Sequence, residues 1–170
     1  MEEENILPSV KQGGNGVMFW GCVSWMGVGP LVPVYENLRG DDYARILLNI
    51  PRVKRALNIQ SAYLIEDWSR VYTTSRVLDV KEDLSLKDLE LPTYSPDLNI
   101  LENMWSVLKT NVAACYPETL EELGEVVRQE WTNIPREDIR TYFYSIPNRL
   151  EDVIRAHGRY TKYLLYSLIQ

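Results

Sequence analysis

The sequence predicts a mixed α/β fold, and three observations carry that prediction. Residues 17–24 and 31–35 are strand-like apolar segments on either side of a glycine-rich turn. Residues 62–67 form a further, almost continuous apolar run. From residue 100 onward, apolar positions recur at the helical period instead of alternating. A strand pair, interleaved helices and strands, and then helices alone define the class.

Taken in order, residues 1–16 are polar and glycine-bearing, and the first twelve read as a flexible tail. Val17–Ser24 is a strand, the glycines of Met26-Gly27-Val28-Gly29-Pro30 turn the chain, and Leu31–Tyr35 returns as its antiparallel partner. Pro33 has no amide to donate to a ladder, which assigns the returning strand to an edge. Asp41 and Asp42 open a helix whose inward positions are Tyr43, Ile46, Leu47 and Ile50, with Pro51 as its stop or kink.

Residues 62–67 lack alternation, so they read as a central strand buried on both faces. A helix over 69–80 and a short strand over 86–91 follow. Ile100–Ala114 is a helix with Leu101, Trp105, Leu108 and Val112 on one face; Leu120–Trp131 is another, with Leu120, Leu123, Val127 and Trp131 in register. Pro135 and Pro147 each mark a helix start, the first running to about Ser145 and the second to about Gly158, with Leu150, Val153 and Ile154 inward.

With 170 residues, 45% of them hydrophobic, the chain can bury one core, so residues 1–170 read as a single domain. Its net charge of −6 argues against a free-standing nonspecific DNA binder, because phosphate neutralisation supplies most of that affinity. Residues 136–170 run the other way, with six basic and four acidic residues. Two distant cysteines, Cys22 and Cys115, argue for a reducing compartment and no disulfide framework. No apolar stretch reaches membrane-spanning length, and the acidic start is unlike a signal peptide, so the expectation is an intracellular protein without a membrane partner.

Asp67 ends the 62–67 run, and Glu102 lies in the first turn of the 100–114 helix, with 34 residues between them. An acid at a strand end and another at a helix start can converge on one hard divalent cation, which takes oxygen ligands shared with water and phosphates. Each also has a plainer role. Asn99 and Glu102 fit a capping box, and Asp67 could cap the next helix or end a solvated strand. His157 sits before Gly158 at a helix end, where a cation complements the dipole. Arg52, Lys54, Arg55, Arg149, Arg155, Arg159 and Lys162 could touch phosphates, although solvated surface is the first reading for such residues. Trp20, Trp105 and Trp131 read as core, and Trp25 and Trp68 as partly exposed loop residues.

Four segments together resemble the catalytic domain of mariner superfamily (Tc/mariner-like) transposases. They are Gly13-Gly14-Asn15-Gly16-Val17-Met18-Phe19-Trp20-Gly21-Cys22-Val23-Ser24, Gly29-Pro30-Leu31-Val32-Pro33-Val34, Ser95-Pro96-Asp97-Leu98-Asn99-Ile100-Leu101-Glu102-Asn103-Met104-Trp105, and Ser145–Leu150 with Gly158–Tyr163. The resemblance implies a ribonuclease-H-like fold and DDE chemistry, the metal-assisted cleavage and transfer of DNA strands. It implies Asp67 and Glu102 as catalytic metal ligands, Mg²⁺ or Mn²⁺ as cofactor, and transposon-end DNA as a partner beside a second copy or another transposase. A nuclear or cytoplasmic location follows from it.

The sequence departs from the family pattern at four places. The family's leading Asp has no counterpart strand before Gly13; Glu2, Glu3 and Glu4 lie in no apolar run. Trp68 stands where the family has Asn, Tyr72 where it has His, and Ile100 where it has Pro. The expectation is a catalytic domain truncated before its first acid and impaired in catalysis. A non-enzymatic remnant that binds DNA or transposase, and a fragment of a longer active enzyme, are the alternatives. The family's first strand lies between the hairpin and the strand bearing Asp67, so its absence predicts an open or self-associating sheet.

Overall fold

The computed structural model describes residues 17–34, 37–67, 69–92, 95–159 and 161–163. The tail expected over residues 1–12, the acids Glu2, Glu3 and Glu4, and Trp68 lie outside the described residues.

The hairpin forms as expected. β1 (Met18–Ser24) pairs antiparallel with β2 (Gly27–Val34), and a bulge at Cys22 shifts the register between Gly21 and Val23. Gly27 closes the turn at φ +138°, a backbone conformation that side chains disfavour. Pro33 sits opposite Phe19, in a strand whose only described partner is β1.

Alternation sends the two faces of this ribbon into different cores. Phe19, Val23, Val28 and Leu31 pack against α4 (Ile100–Ala114), α5 (Leu120–Asn133) and α6 (Arg136–Arg155), around Met104, Leu108, Val127, Trp131 and Ile139. Trp20 and Val32 pack the other way, against α1 (Gly40–Leu47) and α3 (Ser75–Asp83), around Tyr43, Leu47, Val77 and Val80. The result is helices, ribbon, helices.

Gly21 faces the first core at close range. A Cβ there would meet Trp105 at 2.9 Å and Trp131 at 3.0 Å. Gly21→Ala is therefore expected to cost about 1–3 kcal/mol through overpacking, read by urea unfolding. An unchanged midpoint would mean that the two indoles can part without loss.

Several expected boundaries move. Pro51 is not the stop of the first helix, which ends at Leu47; it sits in the first turn of α2 (Ile50–Ala56), where its missing amide costs nothing. The helix expected over 69–80 is a 3-10 turn (Arg70–Thr73) followed by α3. The two helices expected around Pro147 are one: α6 runs through it, giving up one ladder bond while side chains on both sides stay packed. Along α6, of the expected inward set only Val153 is half-buried. Leu150 and Ile154 are exposed, the latter at 74%, and Arg149 is the buried residue of that turn. Leu120 likewise faces solvent at the start of α5.

The remaining strands are short. β3 (Tyr63–Leu64) pairs in parallel with β4 (Lys87–Asp88). Burial on both faces does not hold for the 62–67 run: Leu64 packs against the α1–α3 core, while Tyr63 and Ile65 are exposed. Among the described residues the two strand pairs do not join into one sheet. Residues of β1 and residues 61–67 line one cleft of about 660 Å³.

No helix among the described residues is long and apolar enough to cross a membrane. Both cysteines are free thiols.

Candidate functional site

The cleft gathers the two acids singled out by the sequence. Asp67 lies three residues beyond β3 and Glu102 in the first turn of α4, and both line it together with Trp20, Tyr72 and Trp105. Burial pushes the Glu102 carboxyl above the usual carboxylate range; Lys109 opposes this, and the charge of Asp67 adds to it. The two carboxylates thus feel one another across the cleft.

Asp67 is exposed, and its Oδ1 accepts the Ser69 amide at 3.0 Å, a local turn that aims the carboxylate. Glu102 is half-buried. The start of α4 is capped by Asn99, whose side chain accepts the Leu101 amide at 3.1 Å. The reciprocal bond expected from Glu102 back to Asn99 is not formed among the described residues, so the capping box does not close. The Glu102 carboxylate is left to face the cleft.

A buried polar network, which sequence reasoning missed, holds the approach to Asp67. The Tyr43 hydroxyl donates to Glu66, and the Lys81 ammonium donates to Glu66 at 2.5 Å and to Asp88 at 3.0 Å. These bonds tie α1, α3 and β4 to the segment that follows β3, one residue before Asp67. Burial alone would lower the Lys81 ammonium, but its bonds to Glu66 and Asp88 outweigh this and leave it raised. Burial raises the Glu66 carboxyl, against the opposing pull of Lys81 and Tyr43. The signal was present in the pattern: Lys81 shares the helical face of Val77 and Val80, where an apolar residue belongs.

Tyr72 packs on Tyr43 with ring centroids 4.5 Å apart. Its hydroxyl is pushed up to about 12 by burial, with Asp67 and Glu66 adding. At neutral pH it is a phenol beside the Asp67 carboxylate and can donate to an oxygen there.

Two carboxylates on an open cleft suit Mg²⁺ or Mn²⁺, which take one or two protein acids and complete their shell with water and phosphate oxygens. No group of three or more His, Cys, Asp or Glu side chains gathers at metal-binding distance among the described residues. Of the basic candidates, Lys54 lines the cleft. Arg149 is buried elsewhere, Arg155 and Lys162 pair with Asp152, and His157 follows the end of α6 at φ 52°. Trp25, one-third exposed, packs edge-on against Phe143 and Tyr144 with Arg140 over its ring.

The acids Glu66, Asp67 and Glu102 line one cleft beside a ribbon flanked by helices, and comparison with known proteins gives the family. A family model described as DDE superfamily endonuclease matches residues 5–124. The chain belongs to that family, as a Tc/mariner DDE transposase domain. It is 31% identical over 157 residues to the Tcb1 transposase of Caenorhabditis briggsae and 28% identical over 157 residues to the Tc1 transposase of Caenorhabditis elegans. Each match covers 92% of this chain and 58% of the relative, so the chain spans under three-fifths of those proteins.

Solved structures confirm the ribonuclease-H-like class. The Mos1 mariner transposase catalytic domain superposes with a TM-score of 0.75 at 19% identity, covering 86% of this chain and 76% of that one. The Mos1 strand transfer complex matches with a TM-score of 0.71 at 17% identity, over 95% of this chain and 50% of that one.

Proposed function

We propose that this chain carries the divalent-metal site of a Tc/mariner transposase catalytic domain, with Asp67 and Glu102 as its ligands. The observation that carries the reading is that both acids line one cleft. When bound there, Mg²⁺ or Mn²⁺ would supply an activated water and neutralise charge developing on a phosphate. Asp67, aimed by Ser69, and Glu102, set on α4, would hold that ion. Tyr72 would orient an oxygen beside it.

The substrate is transposon-end DNA, and the working form is an oligomer in the nucleus; Mos1 has been solved with its transposon ends in paired-end complexes. Among the described residues Glu66 lines the same cleft but is held by Tyr43 and Lys81, so Asp67 and Glu102 are the acids left to a metal, and strand cleavage by this chain alone would be slow, since affinity follows the count of charged ligands. The second reading is a non-enzymatic module that binds DNA or transposase.

Mn²⁺ titration by electron paramagnetic resonance separates these readings. Millimolar or weaker binding is expected, lost in Asp67→Ala and weakened in Glu102→Gln. Binding that neither substitution changes would overturn the metal role.

A further inference from the structure

A buried polar cluster lies outside the cleft, behind the start of α4. Arg149, 2% exposed in the middle of α6, uses every face of its guanidinium. Nη1 donates to the Asp97 carbonyl at 2.9 Å, Nη2 to Asn103 Oδ1 at 2.8 Å, and Nε to Ser145 Oγ at 2.7 Å. Its plane lies over the Tyr163 ring at 4.6 Å, with Tyr142 at 6.0 Å. Asp97 is buried too, and its Oδ2 accepts the Thr161 hydroxyl at 2.9 Å. The metal reading gives none of these residues a part.

Their targets flank Glu102. Asp97 belongs to the 3-10 turn Pro96–Leu98, which leads through the cap Asn99 into α4; Asn103 is the residue after Glu102. In an α-helix successive side chains diverge by about 100°. Holding Asn103 against α6 therefore fixes the rotation of the first turn and keeps Glu102 pointed into the cleft. Helix starts fray readily, since their first amides lack ladder partners. A two-point hold on Asp97 and Asn103 removes that freedom.

We propose that Arg149, with Thr161 and Tyr163 behind it, is a positioning clamp for Glu102. A separate part of the chain, the end of α6 and residues 161–163, thereby sets the geometry of the acidic site without touching it. The inference rests on the metal-site reading for its consequence, but the clamp itself can be measured without metal.

Amide hydrogen exchange on the full chain reads the clamp, and Mn²⁺ titration reads its consequence. Arg149→Lys, which cannot span both targets, and Thr161→Val, which keeps shape and loses the hydroxyl, are compared with Thr161→Ser, which keeps it. Arg149→Lys and Thr161→Val are expected to speed exchange at residues 101–104 at least tenfold, with α5 unchanged, and to weaken Mn²⁺ binding at least tenfold. Thr161→Ser is expected to match the parent in both. A uniform rise in exchange across α4 and α5 would reduce the cluster to general stability and overturn the proposal. So would unchanged Mn²⁺ affinity in a variant whose first turn has loosened. If the parent chain binds no Mn²⁺, the metal reading falls, and exchange confined to residues 101–104 still decides the clamp.

Discussion

Lys81→Met is expected to lower unfolding stability by about 3–5 kcal/mol at neutral pH, the cost of leaving a buried charge without its partner. The side chains of Lys81 and Glu66 are only 7% and 12% exposed, so little solvent screening softens the loss. Asp88 is 42% exposed and can turn to water, so Glu66 is the group left stranded. Folding free energies of 5–15 kcal/mol make this a large fraction of the total.

The pH dependence follows from the directions of the two shifts. Lys81 is raised in the folded state, so its stabilisation is fully present below the unfolded value of about 10.4 and is lost as pH rises through the folded value. Glu66 is a carboxyl raised by burial, so its contribution runs opposite to that of an ordinary paired acid. It favours folding below about 4.3 and is lost as pH rises through the folded value. In Lys81→Met the Glu66 carboxyl rises further, and the deficit should shrink as the solution is acidified and Glu66 takes up a proton. Glu66→Gln combined with Lys81→Met should recover much of the loss, because the amide can still accept from Tyr43. Urea midpoints at neutral and acid pH check all three statements; a deficit independent of pH would mean that lost packing, not charge, is the cause.

That network also marks the limit of what the sequence disclosed. The hairpin was legible because apolar alternation, a glycine turn and Pro33 all act over a few residues. The helix over residues 100–114 was legible for the same reason, its bounds matching α4. Asp67 and Glu102 stood out by spacing and resemblance, and the fold brings both to one cleft. Long-range pairing was not legible. Lys81 meets Glu66 across 15 residues and Arg149 meets Asp97 across 52, so neither partner could be named from local pattern. A lysine or an arginine on an otherwise apolar helical face is the available sign, and on α6 hydropathy points to Leu150 and Ile154 whereas Arg149 is the buried residue. Pro147 misled for a related reason: local rules stop a helix there, whereas packing on both sides of the proline keeps α6 whole.

Trp131→Ala is expected to cost about 4–5 kcal/mol, because this side chain couples the ribbon to the helices in three ways. It is 2% exposed within the α4–α5–α6 core, so truncation leaves a large cavity. Its indole stacks on Trp105 at 5.2 Å and 24°. Its Nε1 donates to the Gly29 carbonyl in β2 at 2.8 Å, and losing that donor orphans a part-buried acceptor. Trp131→Phe keeps most of the packing and loses the hydrogen bond, so its cost should fall to about 1–2 kcal/mol. Gly21 provides an internal control, since its extra methyl group is crowded by these same two indoles. The overpacking cost of Gly21→Ala should therefore largely vanish in the Trp131→Ala background, a coupling that a double-mutant cycle measures. Additive costs would mean that the ribbon and the indole pair are independent, and the coupling of hairpin to helices would have to be sought elsewhere. Because α4 carries both Trp105 and Glu102, loosening this joint should also disturb the acidic cleft, and the Trp131→Ala chain is expected to bind Mn²⁺ more weakly than Trp131→Phe.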